Sequence, residues 1–178
     1  MKERKLNRLK DYDYSQNGFY FVTICTKNRE EWFGKIESGK MILNKFGEIA
    51  KNIWMEIPKH FKNVGLDEFI VMPNHIHGIV IILGKAYMRS LQNRTKMLLS
   101  RIIQQYKSSV TREINSLQND FYFQWHKSFY DHIIRNENTL NNIREYTTNN
   151  PLKWEFDIEN KINIKEDNKD YYKEIIEG

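Results

Sequence analysis

Two histidines one residue apart, His75-Ile76-His77, open the strongly apolar run HIHGIVIIL (75–83). On a strand, residues two apart project from the same face, so both imidazoles can reach one point. Neutral imidazole is a common ligand for divalent cations. The plain alternative is two half-exposed histidines at a strand start. Their place at the mouth of an apolar strand, just after Pro73-Asn74, favours a site on a rigid element. A second group lies in NNIREYTTNNPLKW (141–154), where Tyr146 and Asn150 are four apart and share one helix face. A phenol and a carboxamide placed there could meet the histidine pair. Each also has an ordinary reading, Tyr146 as a packing tyrosine and Asn150 as a helix C-terminal residue before Pro151. The third group is FYFQWHKSFYDHIIR (121–135), with His126, Tyr130 and His132. Tyr130 is the competing nucleophile. His132 suits a metal neighbour, a DNA contact or a buried, hydrogen-bonded histidine.

Residues 85–112 carry Lys85, Arg89, Arg94, Lys96, Arg101, Lys107 and Arg112 and no acid. Such a run can be a solvated helix face, but its uncompensated repulsion is relieved by a phosphate backbone. Gln104, Gln105, Ser108 and Ser109 suit phosphate oxygens without reading base sequence.

The elements that must position these groups can be read from periodicity. With 178 residues, 40% of them hydrophobic and 13% aromatic, the chain suits one packed domain and excludes global disorder. FYFVTICT (19–26) reads as a strand, and 27–44 as a loop with one short strand, broken at Gly34 and Gly39. Phe46, Ile49, Ile53 and Ile57 predict a helix over 46–61. DEFIVM (67–72) and HIHGIVIIL form two strands joined only by Pro73-Asn74, which requires a hairpin or a bent pair. A helix over 95–117 buries Leu99, Ile103, Tyr106, Val110, Ile114 and Leu117, and turns Arg94, Arg101, Gln105, Ser108 and Arg112 outward. FYFQ (121–124) reads as another strand, and 136–149 as a helix stopped before Pro151. The order β–α–β–β–α–β plus helix predicts an α+β, ferredoxin-like (RRM-like) antiparallel sheet with helices packed on it.

Charge is unevenly spread. The formal net charge is +5, yet residues 155–178 hold eight acids and four lysines, which leaves +9 on the preceding 154 residues. A basic body favours a polyanionic partner. The single cysteine, Cys25, excludes an internal disulfide and a Cys-rich zinc site. No secretory h-region and no run of ~20 apolar residues is present, so the expectation is a cytoplasmic protein without a membrane partner. P-loop, GxGxxG, HExxH and GxSxG patterns are missing, which removes the common nucleotide, zinc-protease and hydrolase readings.

VMPNHIHGIVII (71–82) resembles the His-hydrophobic-His (HUH) motif of single-tyrosine transposases. FYDHIIRNENTLNNIREYTTNNPLKW (129–154) resembles the nucleophile region of their REP-associated branch. LLSRIIQQYKSSVTREI (98–114) and FYFVTICTKNREEWFGKI (19–36) are similar to the same branch, so the resemblance spans roughly residues 15–154. It implies an HUH endonuclease palm that nicks and joins single-stranded DNA beside hairpins, with one tyrosine and a divalent metal, Mg or Mn. Carried over by position, Tyr146 is the nucleophile, His75 and His77 are metal ligands, and Asn150 takes the third ligand position, where many relatives have Gln. Arg94, Lys96, Arg101, Gln105, Ser108, Arg112 and His132 are the expected DNA contacts. The implied partner is single-stranded DNA with palindromic hairpins, bound by a monomer or homodimer. Three parts are expected: a basic arm (1–17), the catalytic domain (18–154) and an acidic appendage (155–178). The competing expectation is a non-catalytic module that binds hairpin or single-stranded nucleic acid.

Overall fold

The computed structural model describes residues 17–83, 98–119 and 122–161. The expected basic arm (residues 1–16 of it), Arg94 and Lys96, and the acidic tail from 162 onward lie outside the described residues. Four strands form an antiparallel sheet: β1 (Gly18–Cys25), β4 (Val64–Val71), β5 (His75–Ile82) and β6 (Tyr130–Ile134). Their order across the sheet is β4-β5-β1-β6. With α1 (Lys45–Met55) between β1 and β4, and α3 (Leu98–Ser116) between β5 and β6, this is the ferredoxin-like arrangement. A β2 (Gly34–Glu37) and β3 (Lys40–Leu43) hairpin precedes α1, and α4 (Glu137–Asn149) follows β6. No described helix is long and apolar enough to cross a membrane.

Alternation along β1 and β5 divides the sheet into two chemically different faces. Tyr20, Val22 and Ile24 of β1 and Ile76, Val80 and Ile82 of β5 pack with Trp54 of α1 and Ile102, Ile103, Tyr106 and Val110 of α3. The opposite face is smaller: Phe21, Ile79 and Ile134 meet Ile143 and Tyr146 of α4. Period-2 geometry therefore sends His75 and His77 toward α4 and their neighbour Ile76 toward α1 and α3. Both central strands are covered on both sides. β5 is accordingly almost continuously apolar rather than alternating.

Local chemistry explains the helix limits. Asn44 caps α1, its Oδ1 accepting from the Phe46 and Gly47 amides at 2.9 and 3.0 Å. Asn136 caps α4 in the same way, accepting from the Thr139 amide at 2.8 Å. The helix expected over 46–61 is interrupted at Glu56. Pro58 carries no amide hydrogen and instead begins a separate turn, α2 (Ile57–His60). The region 27–44 holds two strands, not one. Ser38 and Gly39, both at positive φ (49° and 70°), make the tight primed turn that joins them.

FYFQ (121–124) is not the final strand. Of the described residues there, Phe123 is fully buried among Trp32, Phe33 and Trp125. Trp125 contributes only an isolated bridge to Thr26. The edge beside β1 is taken by 130–134, so the aromatic run serves the core and the later segment serves the ladder. The stripe expected on the long helix holds from Leu99 to Ile114, but Leu117 lies past the helix end and is exposed.

Gly78 lies between His77 and Ile79, against the Trp54 ring. A Cβ there would come 2.4 Å from Trp54 Cζ2. Gly78→Ala is expected to cost about 1–3 kcal/mol by overpacking. Gly65→Ala, whose Cβ would find ordinary 3.6 Å contacts, is the matched control. Urea unfolding of both variants checks this; equal midpoints would mean that Trp54 yields without cost.

Candidate active site

His75 begins β5, directly after the turn through Pro73 and Asn74. That turn is pinned by backbone bonds from Thr26 N to Asn74 O (2.9 Å), Phe33 N to Pro73 O (3.0 Å) and Met72 N to His75 O (2.8 Å). Asn74 is itself buried. Its Nδ2 donates to Glu159 O (2.8 Å) and Arg29 O (3.3 Å), which fixes the amide orientation and leaves Oδ1 facing His75 Nδ1 at 2.8 Å. An amide oxygen only accepts, so His75 carries its proton on Nδ1 and a lone pair on Nε2. That Nε2 is buried and has no hydrogen-bond partner. A buried unsatisfied acceptor costs about 1–3 kcal/mol, which a bound cation would offset.

His77 is the cross-strand neighbour of Thr23 on β1, and Thr23 Oγ1 lies 2.8 Å from His77 Nδ1. The Phe21 ring stacks on the imidazole at 5.3 Å. Both histidines thus have Nδ1 engaged by a positioning partner and Nε2 turned to a common centre, the usual arrangement of metal-binding imidazoles. Burial holds both rings below the ordinary histidine value. For His77 desolvation dominates, followed by its neighbour His75. For His75 desolvation also leads; Asp157 and Glu159 oppose it and Arg29 adds to it. At neutral pH both rings are therefore uncharged and can offer lone pairs.

Tyr146 comes from the last turn of α4 and is 7% exposed. Its hydroxyl lies 3.3 Å from His77 Nε2 and 3.2 Å from Asp157 Oδ2. The phenolic proton is donated to Asp157 Oδ2, with the His77 ring nitrogen beside the same oxygen. Asn150 follows where α4 tightens into a 3-10 turn (Asn150–Phe156), and its Nδ2 donates to Asp157 Oδ2 at 2.6 Å. Asn150 Oδ1 is buried without a hydrogen-bond partner. The four residues that the resemblance singled out as nucleophile and ligands thus meet at one place.

Asp157 is the residue that sequence reasoning placed elsewhere. It stands in the stretch read as an acidic appendage, yet it is buried at the centre of the cluster. Its Oδ1 accepts from the Glu159 amide at 2.6 Å while Oδ2 serves Tyr146 and Asn150. His75, His77 and Asp157 each offer a ligand atom, all within 4.8 Å of one another. Two nitrogens and a carboxylate oxygen fit a divalent cation with coordination positions to spare. Asp157 and Glu159, both within the stretch expected as an appendage, are buried beside the histidines. Thr23, Asn74 and Arg29 were also missed. The one available signal was Pro73-Asn74, whose brevity demands a tightly held turn.

The expected DNA contacts do not all share this face. His132 lies on β6 opposite Phe21, on the α4 side of the sheet, and is half-buried. Arg101, Gln105, Ser108 and Arg112 are exposed on α3, across the sheet from the histidines. Lys107 has a structural part: its Nζ donates to His126 O at 2.7 Å, and burial lowers its pKa to about 8. A cleft of about 290 Å³ lined by Ile57, Gln105, Tyr106 and Arg112 also opens on the α3 side, remote from the histidine cluster.

Calorimetric titration with Mn²⁺ tests the cluster. His75→Ala and His77→Ala are expected to abolish binding, and Thr23→Val to weaken it about 10-fold through loss of the partner that orients His77. Comparing Asp157→Asn with Asn150→Ala identifies the third ligand. Unchanged affinity in His75→Ala would make the pair structural histidines.

No family model matches the chain. A Haemophilus influenzae protein described only as uncharacterized is 39% identical over 165 residues, covering 86% of this chain and 91% of that one. Among solved structures, a REP-associated tyrosine transposase bound to a REP hairpin superposes with a TM-score of 0.59 at 18% identity, over 83% of this chain and 73% of that chain. The chain therefore belongs to one family with the Haemophilus influenzae protein, and its fold is that of the REP-associated tyrosine transposase.

Proposed function

We propose that the protein is an HUH single-tyrosine transposase that cleaves and rejoins single-stranded DNA beside hairpins. The observation that carries this reading is the meeting of the Tyr146 hydroxyl with two imidazoles and a carboxylate in one buried cluster. A purely structural tyrosine would not need a metal-competent triad at its hydroxyl. The likeness of fold to a transposase solved with a REP hairpin supports the substrate class.

In this mechanism Tyr146 Oη attacks the scissile phosphorus in line. The P–O bond to the 3′ oxygen breaks as the P–Oη bond forms, giving a 5′-phosphotyrosine and a free 3′ hydroxyl. The phosphodiester energy is retained in the covalent link, so another strand's 3′ hydroxyl can reverse the step and join DNA. Ionising a tyrosine of pKa ~10 at pH 7 costs about 4 kcal/mol. Asp157 Oδ2, in contact with the hydroxyl, is the acceptor for its proton, because the one free lone pair of His77 is given to the ion when that is bound. Phe21, packed edge-on to the tyrosine ring and stacked on His77, holds the two rings in register.

His75, His77 and Asp157 would hold the divalent ion, with Asn150 Oδ1 adjacent. When bound, the ion supplies Lewis-acid stabilisation of charge on the phosphate. Two imidazole nitrogens suit Mn²⁺ better than Mg²⁺, which prefers oxygen ligands. The cluster is 0–7% exposed, so DNA reaches it only after a local rearrangement.

The test is incubation with labelled single-stranded hairpin DNA from the flanks of the protein's own gene, with Mn²⁺ or Mg²⁺. A covalent protein–DNA band is expected, lost in Tyr146→Phe while hairpin binding persists. Adducts that survive in Tyr146→Phe would move the nucleophile to Tyr130. Binding without any adduct would establish the non-catalytic module instead.

Arg101, Gln105, Ser108 and Arg112, with His132 on the other face and Arg94 and Lys96 upstream, remain the proposed DNA contacts. Replacing Arg101 and Arg112 together by Gln should weaken DNA binding and flatten its dependence on salt, lowering the log–log slope by about 1.4 if each contacts one phosphate of a single strand. An unchanged slope would return that helix face to solvent.

A further inference from the structure

Arg29 lies in none of the expected binding stretches, yet the structure ties it through Asn74 and Glu159 to His75 and Asp157. It follows β1 in a short turn where Asn28 and Arg29 both adopt positive φ, 54° and 56°. Neither residue is glycine, so the chain accepts an unfavourable backbone to present this side chain. The guanidinium Nη2 is ion-paired with Glu159 Oε2, whose side chain is 5% exposed, while that of Arg29 is 27% exposed. Tyr130, which sits in one cross-strand row with Thr23 and His77, is among the neighbours that favour the charged form of Arg29.

Glu159 connects inward. Its amide donates to Asp157 Oδ1, and its carbonyl accepts from Asn74, the residue that orients His75. The Arg29 carbonyl accepts from the same Asn74 amide. Arg29 is therefore joined, through Asn74 and Glu159, to two of the three ligand residues. Phosphoryl transfer accumulates negative charge on non-bridging oxygens, and a fixed guanidinium matches their geometry. The histidines and Tyr146 are nearly inaccessible, whereas Arg29 is partly open to solvent.

We propose that Arg29 binds a non-bridging oxygen of the DNA phosphodiester at this site, with Glu159 as its positioning residue. The proposal rests on the strand-cleavage reading for its rate effect, but not for its binding effect. It assigns a DNA contact on the Tyr146 side of the sheet, independent of the α3 surface.

The experiment compares the full-length protein with Arg29→Ala and Arg29→Lys, by adduct formation with hairpin DNA and Mn²⁺. Single-strand affinity across a salt series is measured in parallel in the Tyr146→Phe background, and Mn²⁺ affinity by calorimetry. Arg29→Ala is expected to form adducts about 100-fold more slowly. Its salt slope should fall by about 0.7, one phosphate of a single strand. Arg29→Lys should keep the slope but recover only part of the rate, because an ammonium carries the charge without the planar fork. Mn²⁺ affinity should be unchanged in both. An unaltered rate and slope in Arg29→Ala would overturn the proposal, as would loss of Mn²⁺ binding, which would make Arg29 a structural prop. If the unsubstituted protein forms no adduct, the cleavage reading falls. The salt slope then decides Arg29 alone: a drop upholds the phosphate contact and an unchanged slope rejects it.

Discussion

The side-chain amide of Asn74 is the hinge on which the site depends. Its oxygen dictates which nitrogen of His75 keeps a lone pair, and its nitrogen holds the backbone of Arg29 on one side and of Glu159 on the other. Three segments distant in sequence, near residues 29, 75 and 159, are thereby fastened to one buried carboxamide. A buried amide of this kind loses stability unless each of its groups is satisfied. Here the satisfaction also defines a tautomer. Positional precision and protonation state follow from the same three hydrogen bonds.

The sheet sorts the chemistry by face. Period-2 geometry puts His75, His77, Thr23 and Phe21 on the α4 side, and the bulk of the apolar core on the side of α1 and α3. The larger face stabilises the fold and the smaller one holds the reactive groups. α4 is anchored over the smaller face by Arg144, which makes a two-pronged ion pair with Asp67 of β4 at 2.6 and 2.9 Å. That contact holds the Asp67 carboxyl below its ordinary value, chiefly through the Arg144 hydrogen bonds. Its contribution to stability is thus present above the ordinary aspartate range and is lost as pH falls through the depressed value. With the Arg144 side chain 39% exposed, the pair is worth about 0.5–1 kcal/mol. The helix that carries Tyr146 is therefore held mainly by Ile143 and Tyr146 packing on Phe21 and Ile79.

Burial gives the site its electrostatic character. Two neutral imidazoles, the Asp157 and Glu159 carboxylates and the Arg29 guanidinium leave the region one charge short of neutrality, a deficit that a divalent ion reverses. In a site shielded from water these charges act at a lower effective dielectric than on the surface. Cys25 shares this environment. Burial, with the nearby Glu159 charge adding to it, pushes its thiol well above the ordinary value, so it remains protonated and inert.

Much of the framework was legible without coordinates, because it rests on short-range rules. The spacing of His75 and His77 on a strand, the apolar run that buries β5, and the four-residue step from Tyr146 to Asn150 are periodicities of the backbone itself. The order of elements in a ferredoxin-like sheet follows from them. Misreadings arose where a residue's role depends on a remote partner. FYFQ has the composition of a strand, but Phe123 found a better place among Trp32, Phe33 and Trp125 than in the ladder. Asp157 sits in a run of acids that looks solvated, and nothing in its local spacing distinguishes it from Glu155. The chain alone therefore determined that the two histidines share one strand face and that Tyr146 and Asn150 share one helix face, since that is set by repeat geometry. Only the tertiary structure decided that Asp157, Asn74 and Arg29 join them, since hydrogen bonds between irregular segments, some of them 45 and 85 residues apart, leave no periodic trace.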